Sequence, residues 1–139
     1  MKVKDVMHSG VISVSPDTEV TQIAKKMRDE DIGAVPVVEN HHLIGMVTDR
    51  DIICRGLANG HGIAHLTARD VMSMPMLYCG SDDDVTAAIQ LMEKSKIRRL
   101  PVLNEKKRMV GMLSLGDISQ KVPNALAGEA IQSLSAHHS

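Results

Sequence analysis

Two short stretches of the sequence place a hydroxyl and a carboxylate three residues apart. They are Thr48-Asp49-Arg50-Asp51 and Ser114-Leu115-Gly116-Asp117, and each follows an apolar run that contains a glycine. In the first turn of a helix, positions three apart lie on one face, so the two side chains can bind polar groups of a ligand together. The same spacing also forms a capping box, in which these side chains satisfy backbone N–H groups. The sequence leaves both interpretations open.

Two adjacent arginines precede the second of these stretches. Arg98 and Arg99 lie just before the apolar run that begins at Leu100. A planar guanidinium can bind two phosphate oxygens at once, so the pair predicts an anion-binding position. The alternative is a solvated basic end of the preceding helix, where cations complement the helix dipole. The corresponding residues before the first stretch are Gly33-Ala34, which offer no charge, so we expect the second stretch to be the better anion site.

The sequence contains an internal duplication that relates the two stretches. Motifs in the first half return 65 residues later, and beyond the middle of each copy the spacing becomes 66. The pairs include Asp5-Val6-Met7 with Asp70-Val71-Met72, Pro36-Val37 with Pro101-Val102, and Gly45-Met46 with Gly111-Met112. The added residue lies among polar residues, where a hairpin turn would absorb it. A repeat of this kind predicts one structural unit built twice, packed about a pseudo-twofold axis with two related clefts.

Apolar periodicity predicts the same β-α-β-β-α order in each copy, which is an α/β (α+β) fold. In the first copy, apolar residues recur at helical spacing from Val20 to Met27, and Thr18 or Asp17 is the expected N-cap. Two short apolar runs follow and predict a hairpin, in which Pro36 cannot donate a ladder hydrogen bond. The expected strands are Val11–Val14, Ala34–Val38 and Leu43–Val47 in the first copy, and Met76–Cys79, Leu100–Leu103 and Met109–Leu113 in the second.

The predicted domain boundaries follow from the repeats. The first repeat covers residues 1–58, a turn-rich linker 59–66, the second repeat 67–121, and a C-terminal helix and tail 122–139. The segment from Ala125 to Leu134 is weakly helical and is expected to dock on the core or on a second chain.

Composition excludes several classes of function. The 16 basic and 17 acidic side chains are interspersed and the chain has no Phe or Trp, so it lacks the basic stripe and stacking aromatics of nucleic-acid binders. No apolar run reaches membrane-spanning length, so no membrane partner is expected. The two isolated cysteines suit the reducing cytoplasm. Neither a catalytic motif nor a metal-binding spacing occurs, so we expect no enzyme activity and no metal site.

These motifs resemble the cystathionine-β-synthase (CBS) domain, here as a tandem pair, or Bateman module. The resemblance rests on the Asp-Val-Met motifs, on Ile32–Val38 and Leu43–Ile52, and on their second-copy counterparts Ile97–Val102 and Val110–Ile118. It covers residues 3 to 120. Because so little lies outside the pair, the chain is similar to stand-alone bacterial two-repeat proteins such as the hypoxic response proteins.

The resemblance implies a regulatory module that senses an adenosyl ligand (AMP, ADP, ATP or S-adenosylmethionine) in the clefts between repeats, and transmits signals to a protein effector. The family's ligand signature is a Ser or Thr, two residues, then Asp. It therefore assigns ribose binding to Asp51 or Asp117, and phosphate binding to Thr48 or Ser114 with Arg98 or Arg99. Adenine is expected between aliphatic walls formed by Val11, Ile12, Met76 and Leu77.

The resemblance also implies a homodimer formed through helices. A second hypothesis of another class is a ligand-independent dimeric scaffold or stress-response protein, which the lack of an attached output domain favours.

Overall fold

The computed structural model describes residues 1–60, 62–74, 77–124, 127–129 and 131–132. Helices and two small sheets give a mixed α+β fold, which confirms the predicted class. In chain order the elements are α1 (Val3–Val6), α2 (Val20–Glu30), β1 (Ala34–Glu39), β2 (His42–Thr48), α3 (Asp49–Asp51), a π-helical turn (Ile52–Gly56), a 3-10 turn (Leu57–Asn59), α4 (Ala68–Val71), β3 (Cys79–Gly80), α5 (Val85–Ser95), β4 (Arg99–Leu103), β5 (Met109–Ser114) and α6 (Leu115–Lys121).

The chain forms two compact units, each with its own core. The first-repeat unit comprises Ile12–Met76, and the second-repeat unit comprises Met1–Val11 together with Leu77–Ser139. The N-terminal segment with α1 therefore packs with the second copy of the repeat, whereas α4, its counterpart, packs with the first. The repeat boundaries predicted from the sequence stay a prediction, because the two units are defined by which residues pack together and not by the repeats.

The predicted hairpins form in both units. In the first-repeat unit β1 pairs antiparallel with β2 through a two-residue turn, Asn40-His41, in which both residues have positive φ as a type I′ turn requires. In the second-repeat unit β4 pairs with β5 and the turn is longer: Leu103 pairs with Met109, where Val38 pairs with Leu43 in the first. The extra residue of the second copy is therefore absorbed in the turn.

The apolar stripes predicted for the long helices are buried in these cores. Val20, Ile23 and Met27 of α2 pack with the inward residues of β1 and β2. The matching residues of α5 pack with Leu100, Val102 and Leu113. Ala127 is buried in the core of the second-repeat unit. The rest of the expected C-terminal helix, including Leu126 and Leu134, lies mostly outside the described residues.

The strand expected at the start of each repeat is shorter than predicted. Only Val14 of Val11–Val14 pairs, as a parallel bridge to Val37, and in the second unit pairing begins at Cys79, with Met76 outside the described residues. In the first unit, Val14 N–H donates to the Pro36 carbonyl and Val38 N–H donates to the Val14 carbonyl. The next ladder bond toward the N-terminus would need an N–H on Pro36, which has none. Pro101 occupies the same position beside β3.

One predicted detail of the helices is wrong. α2 begins one or two residues later than expected, with Glu19 as its N-cap, because the Thr18 hydroxyl instead accepts a hydrogen bond from the Ser15 N–H (3.2 Å) in the preceding turn. After α3 the helical conformation continues through the π-helical turn, whose last residue, Gly56, is buried.

Candidate functional site

The first hydroxyl–carboxylate pair lies where β2 passes directly into α3. Thr48 is the N-cap, and its hydroxyl accepts a hydrogen bond from the Asp51 N–H (3.0 Å). The Asp51 carboxylate in turn accepts from the Thr48 N–H (2.9 Å) through Oδ2. The capping box is thus formed. It uses one carboxylate oxygen for the backbone and leaves Oδ1 for other partners.

The second pair repeats this geometry where β5 passes into α6. The Ser114 hydroxyl accepts from the Asp117 N–H (3.1 Å), while Asp117 Oδ2 accepts from the Ser114 N–H (3.0 Å) and from the Ser114 hydroxyl (2.9 Å). Within the described residues Asp117 is the one buried charged residue, at 7% exposure. A charge so withdrawn from water requires partners, and every buried side-chain nitrogen or oxygen in the described part of the chain has one.

The arginine pair lies next to Ser114. α5 ends at Ser95, so Arg98 and Arg99 are not the basic end of that helix; instead Arg99 is the first residue of β4 and pairs directly with Ser114 across the hairpin. The Arg98 carbonyl accepts a hydrogen bond from the Leu115 N–H (3.0 Å). Both arginines are exposed. The fold therefore brings Arg98, Arg99, Ser114 and Asp117 together within the second-repeat unit.

In the first-repeat unit the same positions carry no arginine. Ala34 pairs with Thr48 across the hairpin, and the Gly33 carbonyl accepts from the Asp49 N–H. The nearest cation to Asp51 is Arg55, whose Nε lies 3.8 Å from Oδ1. The two units thus differ in charge as the sequence predicts.

Sequence reasoning missed a third group at each carboxylate. The His8 ring places Nδ1 at 3.0 Å from Asp117 Oδ1, and the Ser73 hydroxyl donates to Asp51 Oδ1 at 3.3 Å. His8 and Ser73 are also 65 residues apart, each directly after an Asp-Val-Met motif. That shared spacing was the signal that could have found them.

The segments Met7-His8 and Met72-Ser73, which we call the two arms, are held on the hairpins by backbone hydrogen bonds and pack against a hairpin glycine. His8 exchanges two backbone hydrogen bonds with Met112 (2.8 and 3.0 Å), and Ser73 does the same with Met46 (2.8 and 2.9 Å). A Cβ added at Gly111 would lie 2.5 Å from Met7 Sδ, and one at Gly45 would lie 2.5 Å from Met72 Sδ. The motif methionines therefore occupy the space that a side chain on either glycine would need.

We name the two groups by their carboxylates. The Asp51 site consists of Thr48, Asp51 and Ser73. The Asp117 site consists of His8, Arg98, Arg99, Ser114 and Asp117. Of the expected adenine walls, Val11 and Ile12 are half-buried on irregular backbone, and Leu77 packs against the core of the second-repeat unit. Met76 lies outside the described residues.

The chain belongs to the CBS domain family, which it matches over residues 3–56 and 68–124. It is 37% identical over 134 residues to the CBS domain-containing protein YhcV of Bacillus subtilis, covering 96% of this chain and 94% of that protein. It is 34% identical over 128 residues to the uncharacterized protein MK0525 of Methanopyrus kandleri, where the match covers 91% of this chain and 65% of the longer relative.

Solved structures show the same tandem fold. Hypoxic response protein I, crystallised with two coordinated zinc ions, is 34% identical, with a TM-score of 0.80 over 88% of this chain and 100% of that one. The hypoxic response protein 1 sequences are from Mycobacterium tuberculosis. The CBS domain pair of protein MJ0100, in complex with 5′-methylthioadenosine and S-adenosyl-L-methionine, is 26% identical, with a TM-score of 0.75 over 86% of this chain and 94% of that chain.

None of the helices in the described ranges is both long and apolar enough to cross a membrane. Across the same residues, no group of three or more His, Cys, Asp and Glu side chains is placed to hold a metal ion.

Proposed function

We propose that this chain is a regulatory module, not an enzyme, that binds an adenosyl ligand through the Asp117 site. The observation that carries the proposal is the pairing of Arg99 with Ser114 across the hairpin, beside the carboxylate of Asp117. This arrangement joins a planar cation, a hydroxyl and a carboxylate within one compact unit, which are the groups that a nucleoside phosphate requires. The adenosyl complex of the MJ0100 domain pair supports the ligand class.

Capping and ligand binding are compatible roles for Asp117. The capping box engages Oδ2, and the His8 ring approaches Oδ1 from one side. A carboxylate oxygen has two lone pairs, so Oδ1 keeps one for a ribose hydroxyl. The Asp51 site offers the same acceptor but no arginine on its hairpin, so we propose that it binds the nucleoside part of a ligand more weakly.

Ligand binding by the intact chain tests this proposal first. Thermal unfolding is measured with AMP, ADP, ATP and S-adenosylmethionine, because a ligand at a hundredfold excess over its Kd adds about 2.7 kcal/mol of stability. Calorimetry then compares Asp117→Ala with Asp51→Ala, a matched pair in which each variant loses the same capping box. We expect at least about tenfold weaker binding in Asp117→Ala and a smaller loss in Asp51→Ala, since a charged hydrogen bond contributes about 1.5–3 kcal/mol. Equal losses would contradict the preference for the Asp117 site.

The second candidate function is a ligand-independent dimeric scaffold. It is favoured by Ile53 and Leu57, which lie one turn apart after α3 and are 57% and 59% exposed. Exposed apolar side chains on one helical face are typical of a surface that another chain covers. Under this proposal the protein forms a homodimer that presents a surface to a protein effector in the cytoplasm. Absence of binding to all four ligands, with a stable dimer, would favour it.

A further inference from the structure

His8 and Ser73 occupy the same position of the two repeats but have different chemistry. We propose that His8 makes the Asp117 site selective for anionic adenosyl ligands, and that Ser73 leaves the Asp51 site without this selectivity. The inference rests on the proposed function, because it assigns a ligand class to the same site. It adds a specificity-determining residue that lies more than a hundred positions away from Asp117 in the sequence.

The hydrogen bond to Asp117 determines how the His8 ring can act. A carboxylate only accepts, so the proton of this bond is on Nδ1. Within the described part of the chain, this is the one hydrogen bond that the ring makes, and its side chain is 75% exposed. Nε2 is therefore open to a ligand. A ligand that hydrogen-bonds to Asp117 must lie beside this ring, because the ring is 3.0 Å from the same carboxylate.

Protonation gives the ring a second donor and a positive charge. Neutral His8 with its proton on Nδ1 offers a lone pair at Nε2, which does not attract a phosphate. The imidazolium donates from both nitrogens, so it can keep the hydrogen bond from Nδ1 to Asp117 and at the same time donate from Nε2 to a phosphate oxygen. Ser73 has no such state. Anion selectivity should therefore increase with falling pH in the Asp117 site and not in the Asp51 site.

The charges around His8 are compatible with this role. On α1 and the elements packed against it, the charged side chains are Lys4 and Asp5 of α1, Glu93 and Lys94 of α5, and Asp117 and Lys121 of α6. Arg98 and Arg99 lie just before and at the first residue of β4. β5, to which the His8 backbone is bonded, carries no charged side chain. Lys121 donates to the Val6 carbonyl (3.3 Å), and Lys4 forms an ion pair with Asp82 (3.1 Å). Of the cationic and protonatable groups, Arg99 beside Ser114 and His8 beside Asp117 lie at the site itself.

The test compares AMP with adenosine, which differ only in the phosphate. Calorimetry on the wild-type chain, His8→Ser and Ser73→His is carried out at pH 7.5 and pH 6.0. His8→Ser introduces the residue that already hydrogen-bonds the equivalent carboxylate at Asp51, so the fold should be kept, and circular dichroism checks this. The AMP phosphate itself gains protons at pH 6.0, but equally for every variant, so differences between variants report on the protein.

We expect the ratio of AMP affinity to adenosine affinity to rise about fivefold more on acidification in the wild-type chain than in His8→Ser, the size of one exposed charged hydrogen bond. Ser73→His should gain a similar pH dependence at the weaker site. If the wild type binds AMP and His8→Ser has the same ratio of AMP to adenosine affinity as the wild type at each of the two pH values, the role of His8 is refuted while the proposed function stands. If the wild type binds neither ligand at either pH, the role of His8 is refuted, and the proposed function fails as well if ADP, ATP and S-adenosylmethionine also do not bind.

Discussion

Replacing Gly111 by alanine should destabilise the chain far more than the same change at Gly45. An alanine Cβ at either position would lie 2.5 Å from the sulfur of a motif methionine. At Gly45 each of the three nearest atoms belongs to the Met72 side chain, which is flexible and can move away. At Gly111 the Cβ would also lie 2.7 Å from the backbone carbonyl oxygen of His8, which cannot move alone.

The magnitude follows from what must shift in each case. Overpacking a filled site costs about 1–3 kcal/mol, and the lower end applies where a methionine can rearrange. Moving the His8 carbonyl also disturbs the two backbone hydrogen bonds that His8 exchanges with Met112, each worth about 1 kcal/mol. We therefore expect a loss of about 3 kcal/mol for Gly111→Ala and about 1 kcal/mol for Gly45→Ala.

Urea unfolding followed by circular dichroism measures this difference, since the chain has no Trp and a single Tyr for fluorescence. With an m-value of about 2 kcal/mol/M, the midpoint should fall by about 1.5 M in Gly111→Ala and about 0.5 M in Gly45→Ala. Gly128→Ala is the control, because a Cβ there meets nothing within 4 Å. A loss in Gly45→Ala equal to or larger than that in Gly111→Ala would refute the reasoning from the His8 carbonyl.

Three other predictions concern ligand charge, thiol reactivity and assembly. Alanine at both positions of Arg98-Arg99 should weaken AMP binding about tenfold with little change for adenosine, and calorimetry would contradict this if both ligands lost equally. Burial raises the pKa of the Cys79 thiol to about 12, so a disulfide reagent at pH 8 should modify the exposed Cys54 alone until the chain is unfolded. Because the pKa of Cys79 is higher in the folded than in the unfolded chain, the free energy of unfolding should also decrease as the pH rises toward 12. Sedimentation should show a dimer that dissociates to the 15.1 kDa chain when Ile53 and Leu57 are replaced by lysine, and a wild-type monomer at micromolar concentration would exclude the dimer.

Local and periodic features of the fold could be predicted from the sequence. The extra residue of the second repeat was placed in a hairpin turn, and the register of β4 with β5 confirms it. The sequence also showed that Pro36 has no N–H to donate, but Val11–Val14 was predicted as a full strand, and its pairing is reduced to a single bridge at Val14. The position of the extra residue and the missing donor of Pro36 depend only on neighbours in the chain or on the spacing of the repeats.

The docking of the two arms could not be predicted in the same way. That Met7 packs on Gly111, and not on the hairpin of its own repeat, is a choice between two nearly identical surfaces. Sequence periodicity does not distinguish these surfaces, because both hairpins offer a glycine at the same position. For the same reason the contact of His8 with Asp117 was missed, although both residues were visible in the sequence.

The composition of the two units has a consequence for synthesis of the protein. The first-repeat unit is continuous, from Ile12 to Met76, so it can fold while the ribosome is still making the rest of the chain. The second-repeat unit needs both Met1–Val11 and the residues from Leu77 onward, so Val3 and Val6 stay without their core until translation has passed α6. A ligand that contacts His8 and Asp117 together would hold a segment made before the first-repeat unit to a helix made after it. Such a ligand would stabilise chains in which both residues have been synthesised, and it would not stabilise nascent chains that still lack Asp117.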